Sequence, residues 1–260
     1  MSASPSPSSP PFVRLCTPAA VSTFLRSLVI QGSWNYRTML GSGFAFALLP
    51  VLRRIHASEP EALKQAVERH LEHFNAHPYL SSVALGAVAR MEAERADPET
   101  VRRLKTAIRG PLGSLGDALI WATVLPGTAL AALSLLWLGV PIWGAVAVFL
   151  LLFNAVHLGI RVWGFRAGVR AGREVGRILN RADLSGWTRR LEPVTVLLLG
   201  LLVGTIIGGP GGLVVSGTPW LLLSALGFVA GLLGGHRTWR PAAVLTVVAI
   251  GVFSLWGGIS

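Results

Sequence analysis

From Ala118 to Ile160 the chain runs for 43 residues without an Asp, Glu, Lys or Arg. The hydrocarbon core of a bilayer is about 30 Å thick and takes roughly 20 helical residues to cross. This run is therefore too long for one crossing and fits two, joined at Gly139-Val140-Pro141. The same reasoning applies from Pro193 to Leu233, where Gly208-Gly209-Pro210-Gly211-Gly212 supplies the break, and the uncharged run Pro241 to Ser260 can cross once more. Only 13% of the residues are charged and 52% are hydrophobic, whereas typical soluble domains carry about 25% charge. A soluble globule and a disordered chain are both excluded. The expected fold class is an all-α integral membrane protein with about five transmembrane helices, because only helices or closed barrels satisfy backbone amides in lipid.

The net charge of +11 lies in blocks. Arg102, Arg103, Lys105 and Arg109 precede the first hairpin, eight arginines fall between Arg161 and Arg190 in a basic linker over 161–192, and Arg237 and Arg240 precede the last run. The hairpin turns and the C-terminus carry no charged side chain. Positive charge marks cytoplasmic loops, so the N-terminus is expected in the cytoplasm and the C-terminus outside. The basic linker reads first as a topology signal and second as a surface for a phosphate-bearing partner. No nucleic-acid module accompanies the charge. No phosphate loop, nucleophile elbow or dinucleotide fingerprint is present, so neither a cofactor nor autonomous catalysis is expected. Met1 to Pro11 is Ser/Pro-rich, with no basic residue and no following apolar core of the kind a signal peptide needs; the tail 1–16 is expected to be disordered and uncleaved. The single Cys16 excludes a disulfide framework.

Residues 17–109 differ, reading as a bundle of short amphipathic or re-entrant helices ahead of the transmembrane region 110–260. Met39 to Leu52 is apolar but too short to cross, which suits a re-entrant or interfacial helix. Pro60 to Phe74 is an amphipathic helix capped by Ser58, with Leu63, Val67, Leu71 and Phe74 as its apolar stripe. A further helix covers about Leu80 to Arg95, and Asp97-Pro98-Glu99 opens the next with an acidic first turn.

Three constellations could carry function. Gly110, Pro111, Gly113 and Gly116 lead into the first crossing as a flexible, non-helical loop of the kind that lines solute pathways. Asp117 follows at the lip of the span, where a carboxylate is either a pathway group or a helix cap. His70, His73 and His77 fall at i, i+3 and i+7, but Pro78 disfavours helix at His77 and no further ligand completes a set, so no metal is assigned. Gly164, Gly168, Gly172 and Gly176 recur every four residues as a ridge for close helix packing, and Gly200/Gly204/Gly208 and Gly227/Gly231 repeat the spacing.

Several of these segments together resemble the IID component of the mannose/fructose/sorbose-type bacterial phosphotransferase system, over roughly residues 22–210. The matching parts are Gln31-Gly32-Ser33-Trp34-Asn35-Tyr36 with Gly43-Phe44-Ala45, then Arg69-His70-Leu71-Glu72 and Phe74-Asn75-Ala76-His77-Pro78-Tyr79, then Gly110-Pro111-Leu112 with Gly116-Asp117, and Phe153-Asn154 before the glycine ridge. The resemblance implies a hetero-oligomeric inner-membrane translocator assembled with a IIC chain. Cytoplasmic IIA and IIB units would carry the phosphoryl group, and a hexose would be phosphorylated on entry. This chain would then be non-catalytic. A sugar offers hydroxyls, and Trp34, Asn35, Asn75, His77 and Asp117 are the groups the resemblance nominates along its route. The family commonly has Glu-Arg where this chain has Arg37-Thr38, a proline at Ala118 and an arginine at Leu125. Those changes leave open a second reading, a non-transporting membrane scaffold that docks a phosphorylated partner.

Overall fold

The computed structural model describes residues 18–208. The N-terminal tail with Cys16, the break after Gly208, the Gly227/Gly231 pair and the last two expected crossings lie outside the described residues. Among the described residues the chain is helical and without an extended strand: α1 Pro18–Ser27, α2 Gly41–Ile55, α3 Pro60–Leu71, α4 Ser81–Ala93, α5 Pro98–Gly116, a π-helical segment Asp117–Val124, α6 Leu125–Trp137, α7 Ile142–Ala171, a 3-10 turn Gly172–Glu174, α8 Val175–Ala182 and α9 Leu184–Gly208. It forms two compact units. The first takes the chain up to Asp117 and returns for Val156–Leu184; the second takes Ala118–Ala155 and the chain from Ser185.

In the first unit α2 is the core helix, packed against α1, α3 and α4, with Phe44, Leu48 and Leu52 fully buried. The Met39–Leu52 run, expected to form a re-entrant or interfacial helix, packs largely against protein within this unit. Gly43 makes this possible: a Cβ there would overlap the Ile30 carbonyl oxygen, so only glycine lets α2 come this close. α4 is buried almost throughout, including Val83, Leu85 and Val88 and also Ser81, Ser82 and Glu92, so its polar side chains must find partners inside the protein.

Two local expectations change. α3 ends at Leu71, which is exposed, and buries Ala66, Arg69 and His70; of the expected stripe Leu63 and Val67 are half-buried and Phe74, beyond the end of the helix, is fully buried. A buried carboxylate on α4 draws the polar face inward, as described below. The residue at its N-cap is Glu59, not Ser58, and no side chain caps it. By contrast α5 begins as expected: Asp97 accepts from the Thr100 N–H at 2.9 Å, with Pro98 in the first turn.

The largest correction concerns Gly110, Pro111, Gly113 and Gly116. They are not a loop but lie within α5, which passes through Pro111 into the π-helical segment and α6. Proline removes one backbone donor and the wider π turns begin just beyond, at Asp117, so the ladder is altered without the helix being broken.

In the second unit α6 and the start of α7 flank a turn at Gly139, whose φ of +89° requires glycine. This is the expected interruption of the 118–160 run. The α9 side chain of Thr195 donates to the Thr123 carbonyl at 3.3 Å, and Gly127 leaves the space it needs. Pro98–Trp137 and Ile142–Gly200 are the two helical stretches among the described residues long and apolar enough to cross a membrane. Their large outward side chains, among them Leu133, Trp137, Ile142, Trp143 and Leu151, form the kind of apolar surface that faces lipid.

Candidate functional site

A cavity of about 200 Å³ opens in the first unit, lined by Gln31, Trp34, Leu40, Asn75, Ala76, His77, Pro78, Gly113 and Asp117. Two non-helical segments form it, 28–40 after α1 and 72–80 after α3. They are stitched by backbone: Leu40 N–H donates to the Phe74 carbonyl at 2.9 Å and Phe74 N–H to the Thr38 carbonyl at 3.1 Å. Asn35 builds the turn within the first of them. Its Oδ1 accepts from the Arg37 and Thr38 N–H groups at 3.1 and 2.9 Å, and its Nδ2 donates to the Ser33 carbonyl at 3.1 Å. This local bonding is the ordinary business of an Asx turn, and it carries the chain to Met39 at a φ of 54°.

His77 is 1% exposed. Its Nδ1 accepts from the Tyr79 N–H at 3.2 Å, and its carbonyl takes the Ser81 N–H and hydroxyl. Burial, joined by the positive charge of Arg161 and by His157, pushes its imidazole down to about 4, so it is neutral at physiological pH and offers hydrogen bonds without charge. Its ring lies directly on Gly116, where a Cβ would overlap it. The glycine before Asp117 therefore provides clearance for His77 on α5.

Behind His77 the aromatic chain continues. Tyr79 meets His77 edge-on at 5.0 Å and stacks on His157 at 4.0 Å. Arg161 lies 4.9 Å over the Tyr79 ring. The Arg161 side chain is buried, donating to His157 Nε2 at 2.8 Å and to the Ser27 carbonyl at 2.6 Å. One guanidinium thus ties the end of α1 to the segment holding His77, and Arg161 is not part of a surface belt.

A buried ionic cluster fixes the start of the second segment. Glu92 on α4 accepts from Arg69 Nη2 at 2.8 and 3.1 Å and pairs with His70 Nε2 at 2.9 Å. Lys105 on α5 donates to the Arg69 carbonyl at 3.1 Å. Burial works to raise the Glu92 carboxyl, but the hydrogen bonds and charges of His70 and Arg69 outweigh it and hold the group below the usual carboxylate range. Burial pushes His70 down to about 4 despite Glu92.

Of the five side chains nominated along a solute route, Trp34, Asn75, His77 and Asp117 line this one cavity, together with Gly113; Asn35 instead serves the turn. Gln31, which the sequence reading quoted but did not nominate, also lines it, and its place three residues before Trp34 was the available signal. The three histidines do not converge: His70 pairs with Glu92, His73 meets Arg109 Nη1 at 3.1 Å, and His77 faces the cavity. No cluster of three metal-ligating side chains exists among the described residues. In the glycine ridge, Gly164, Gly168 and Gly172 face α4 at Ser82/Val83, Val83/Ala87 and Arg90, while nothing lies within 4 Å of a Cβ at Gly176.

Residues 15–216 match the family model described as the mannose/fructose/sorbose family IID component of the phosphotransferase system. The mannose-specific EIID component of Escherichia coli K12 is 34% identical over 188 residues, 69% of this chain and 65% of that protein, so the match leaves about a third of that relative unspanned. The sorbose-specific EIID component of Klebsiella pneumoniae is 33% identical over 76% of this chain and 73% of its own length. The fructose permease IID component of Bacillus subtilis is 32% identical over 73% and 68%. A solved structure of the mannose transporter ManYZ with microcin E492 contains a chain that superposes at a TM-score of 0.58 with 27% identity, covering 94% of this chain and 92% of that one.

Proposed function

Because the chain belongs to the mannose/fructose/sorbose family of phosphotransferase-system IID components, we propose that it forms, with a IIC chain, the membrane pathway by which a hexose enters the cell. Phosphoryl transfer on entry falls to IIB, and this chain contributes no catalytic residue. The single observation that carries the site is the gathering of Trp34, Asn75, His77 and Asp117, from three separated sequence motifs, around one small polar cavity. An aromatic face, an amide, a neutral imidazole and a carboxylate are the chemistry that recognises a polyhydroxylated ring: the polar groups bond hydroxyls and the indole covers an apolar face of the sugar. In the bacterial inner membrane the arginine-rich segments would lie on the cytoplasmic side with the N-terminus, and five crossings would leave the C-terminus outside.

Uptake of labelled hexose by cells lacking only this chain, complemented with wild type, Asp117→Ala or His77→Ala, tests the reading. Wild type should restore uptake and co-purify with its IIC partner, and both variants should co-purify yet lose most uptake. Normal uptake without the chain would refute transport. Recruitment of the phosphorylated partner without any uptake would establish the scaffold reading instead.

A further inference from the structure

Between Gly164 and Leu184 one side of the chain faces α4 and the other faces away. Gly164, Gly168 and Gly172 lie against α4, and Val175 and Leu179 are buried. Arg166, Arg170, Arg173, Arg177 and Arg181 are all exposed. Glu174 and Asp183 are the only carboxylates in this stretch, leaving it at a net charge of +3. Elsewhere in the same unit three exposed arginines are matched, Arg95 with Glu59 at 2.8 Å, Arg102 with Glu72 at 2.8 Å and Arg103 with Glu99 at 3.3 Å. Arg37, Arg53 and Arg54 are exposed without an ion pair among the described residues but do not gather on one face of a helix with such a run of arginines. Of the five, only Arg177 is in an ion pair among the described residues, with Glu174 at 2.9 Å.

Lipid headgroups are the first occupant to weigh, and distance argues against them. The uncharged run of α7 ends at Ile160, with Val156 and Leu158 still exposed. Arg170 lies ten residues further on, about 15 Å along the axis at a rise of about 1.5 Å per residue. The headgroup layer of one leaflet is only about 6 Å deep, and even a helix tilted by about 40° would carry Arg170 past it. α8 could return to the surface only as an interfacial helix, which needs a free apolar face, and Val175 and Leu179 are already spent on protein.

We propose that this arginine face is the docking surface for the soluble phosphorylated partner, IIB, which it attracts through acidic side chains and the phosphoryl group. The identity of that partner rests on the permease reading above. The surplus charge then does more than set topology, which Arg161 and Arg166 close to the membrane, with Arg189 and Arg190, would suffice to do.

The test uses the assembled membrane complex in nanodiscs, with phosphorylated IIB of the same permease as probe. The triple variant Arg173→Gln/Arg177→Gln/Arg181→Gln should weaken binding by roughly 10- to 100-fold and should flatten the salt dependence. Because these side chains are exposed, the melting temperature should stay at its wild-type value. Arg102→Gln/Arg103→Gln, which removes arginines already paired with carboxylates, should change binding less than about 2-fold. Binding by the triple variant equal to wild type overturns the docking surface and leaves the permease reading standing. A requirement for anionic lipid in the nanodisc, with no effect of the triple substitution, overturns it in favour of headgroups. Absence of any IIB binding to wild type overturns both.

Discussion

Gly168 and Gly176 belong to one four-residue repeat, yet they should respond oppositely to the same methyl group. A Cβ at Gly168 would overlap the Val83 carbonyl oxygen and lie 2.6 Å from the Ala87 nitrogen. Both obstacles are backbone, so no rotamer change relieves them and α7 must move away from α4. Separation would also spoil the reciprocal approach, in which Gly86 sits against the Phe165 carbonyl. Overpacking of this kind costs about 1–3 kcal/mol. Each kcal/mol shifts the melting temperature of a chain this size by about 2–4 °C, so Gly168→Ala should melt several degrees below wild type. Gly176 meets nothing within 4 Å and sits in the first turn of α8. There Gly176→Ala removes backbone entropy from the unfolded chain and should raise stability by up to about 1 kcal/mol. Circular dichroism melts of the two purified variants in one detergent decide the matter. Equal stability of Gly168→Ala and wild type, or equal damage at both positions, would refute the assignment of the repeat to α4–α7 packing.

Glu92→Gln should cost about 3–5 kcal/mol, because it strands the buried Arg69 guanidinium without its counter-ion, and the variant should melt far lower or fail to accumulate. Acidification should destabilise the protein through His70: above pH 6.5 both folded and unfolded chains hold it neutral, below that only the unfolded chain takes up the proton, and the loss levels off near pH 4. That loss is on the order of 3 kcal/mol, and melts between pH 7.5 and 4.5 should show it, reduced in His70→Gln. Arg161→Met should lower both thermal stability and hexose uptake, since the Ser27 carbonyl and the Tyr79/His157 stack lose their common partner; Arg161→Lys, which keeps a donor but not the planar fork, should fall between.

What the sequence disclosed is what rests on local rules. The missing charges of 118–160 and the left-handed residue at Gly139 define a helix–turn–helix before any contact is known, and Asp97-Pro98-Glu99 announces the start of α5. The cavity was legible in large part because motif residues that bear hydrogen-bonding groups, Asn75, His77 and Asp117, stand beside it. The misreadings lie where local sequence is ambiguous, and glycine is the first case. Gly116 looks like freedom in the sequence and is clearance for His77 in the fold. Met39–Leu52 is apolar, and an apolar run does not say whether lipid or protein covers it. Arg161 looked like one of a belt until Ser27, 134 residues away along the chain, proved to be its acceptor. The Arg69–Glu92–His70 cluster joins groups 22 and 23 residues apart, beyond any periodicity that a helix reveals.

Occupation of the cavity by sugar can be measured on the intact complex. Gln31 is exposed at its wall and is not one of the four groups assigned to the sugar. Cys16 is the single cysteine of this chain, so Gln31→Cys in a Cys16→Ser background, assembled with a cysteine-free IIC chain, places one reporter there. Alkylation by a small polar thiol reagent should slow severalfold when mannose, fructose or sorbose, whichever the permease carries, is present at saturating concentration. An alkylation rate indifferent to all three, in a complex that still transports one of them, would place the sugar's route elsewhere.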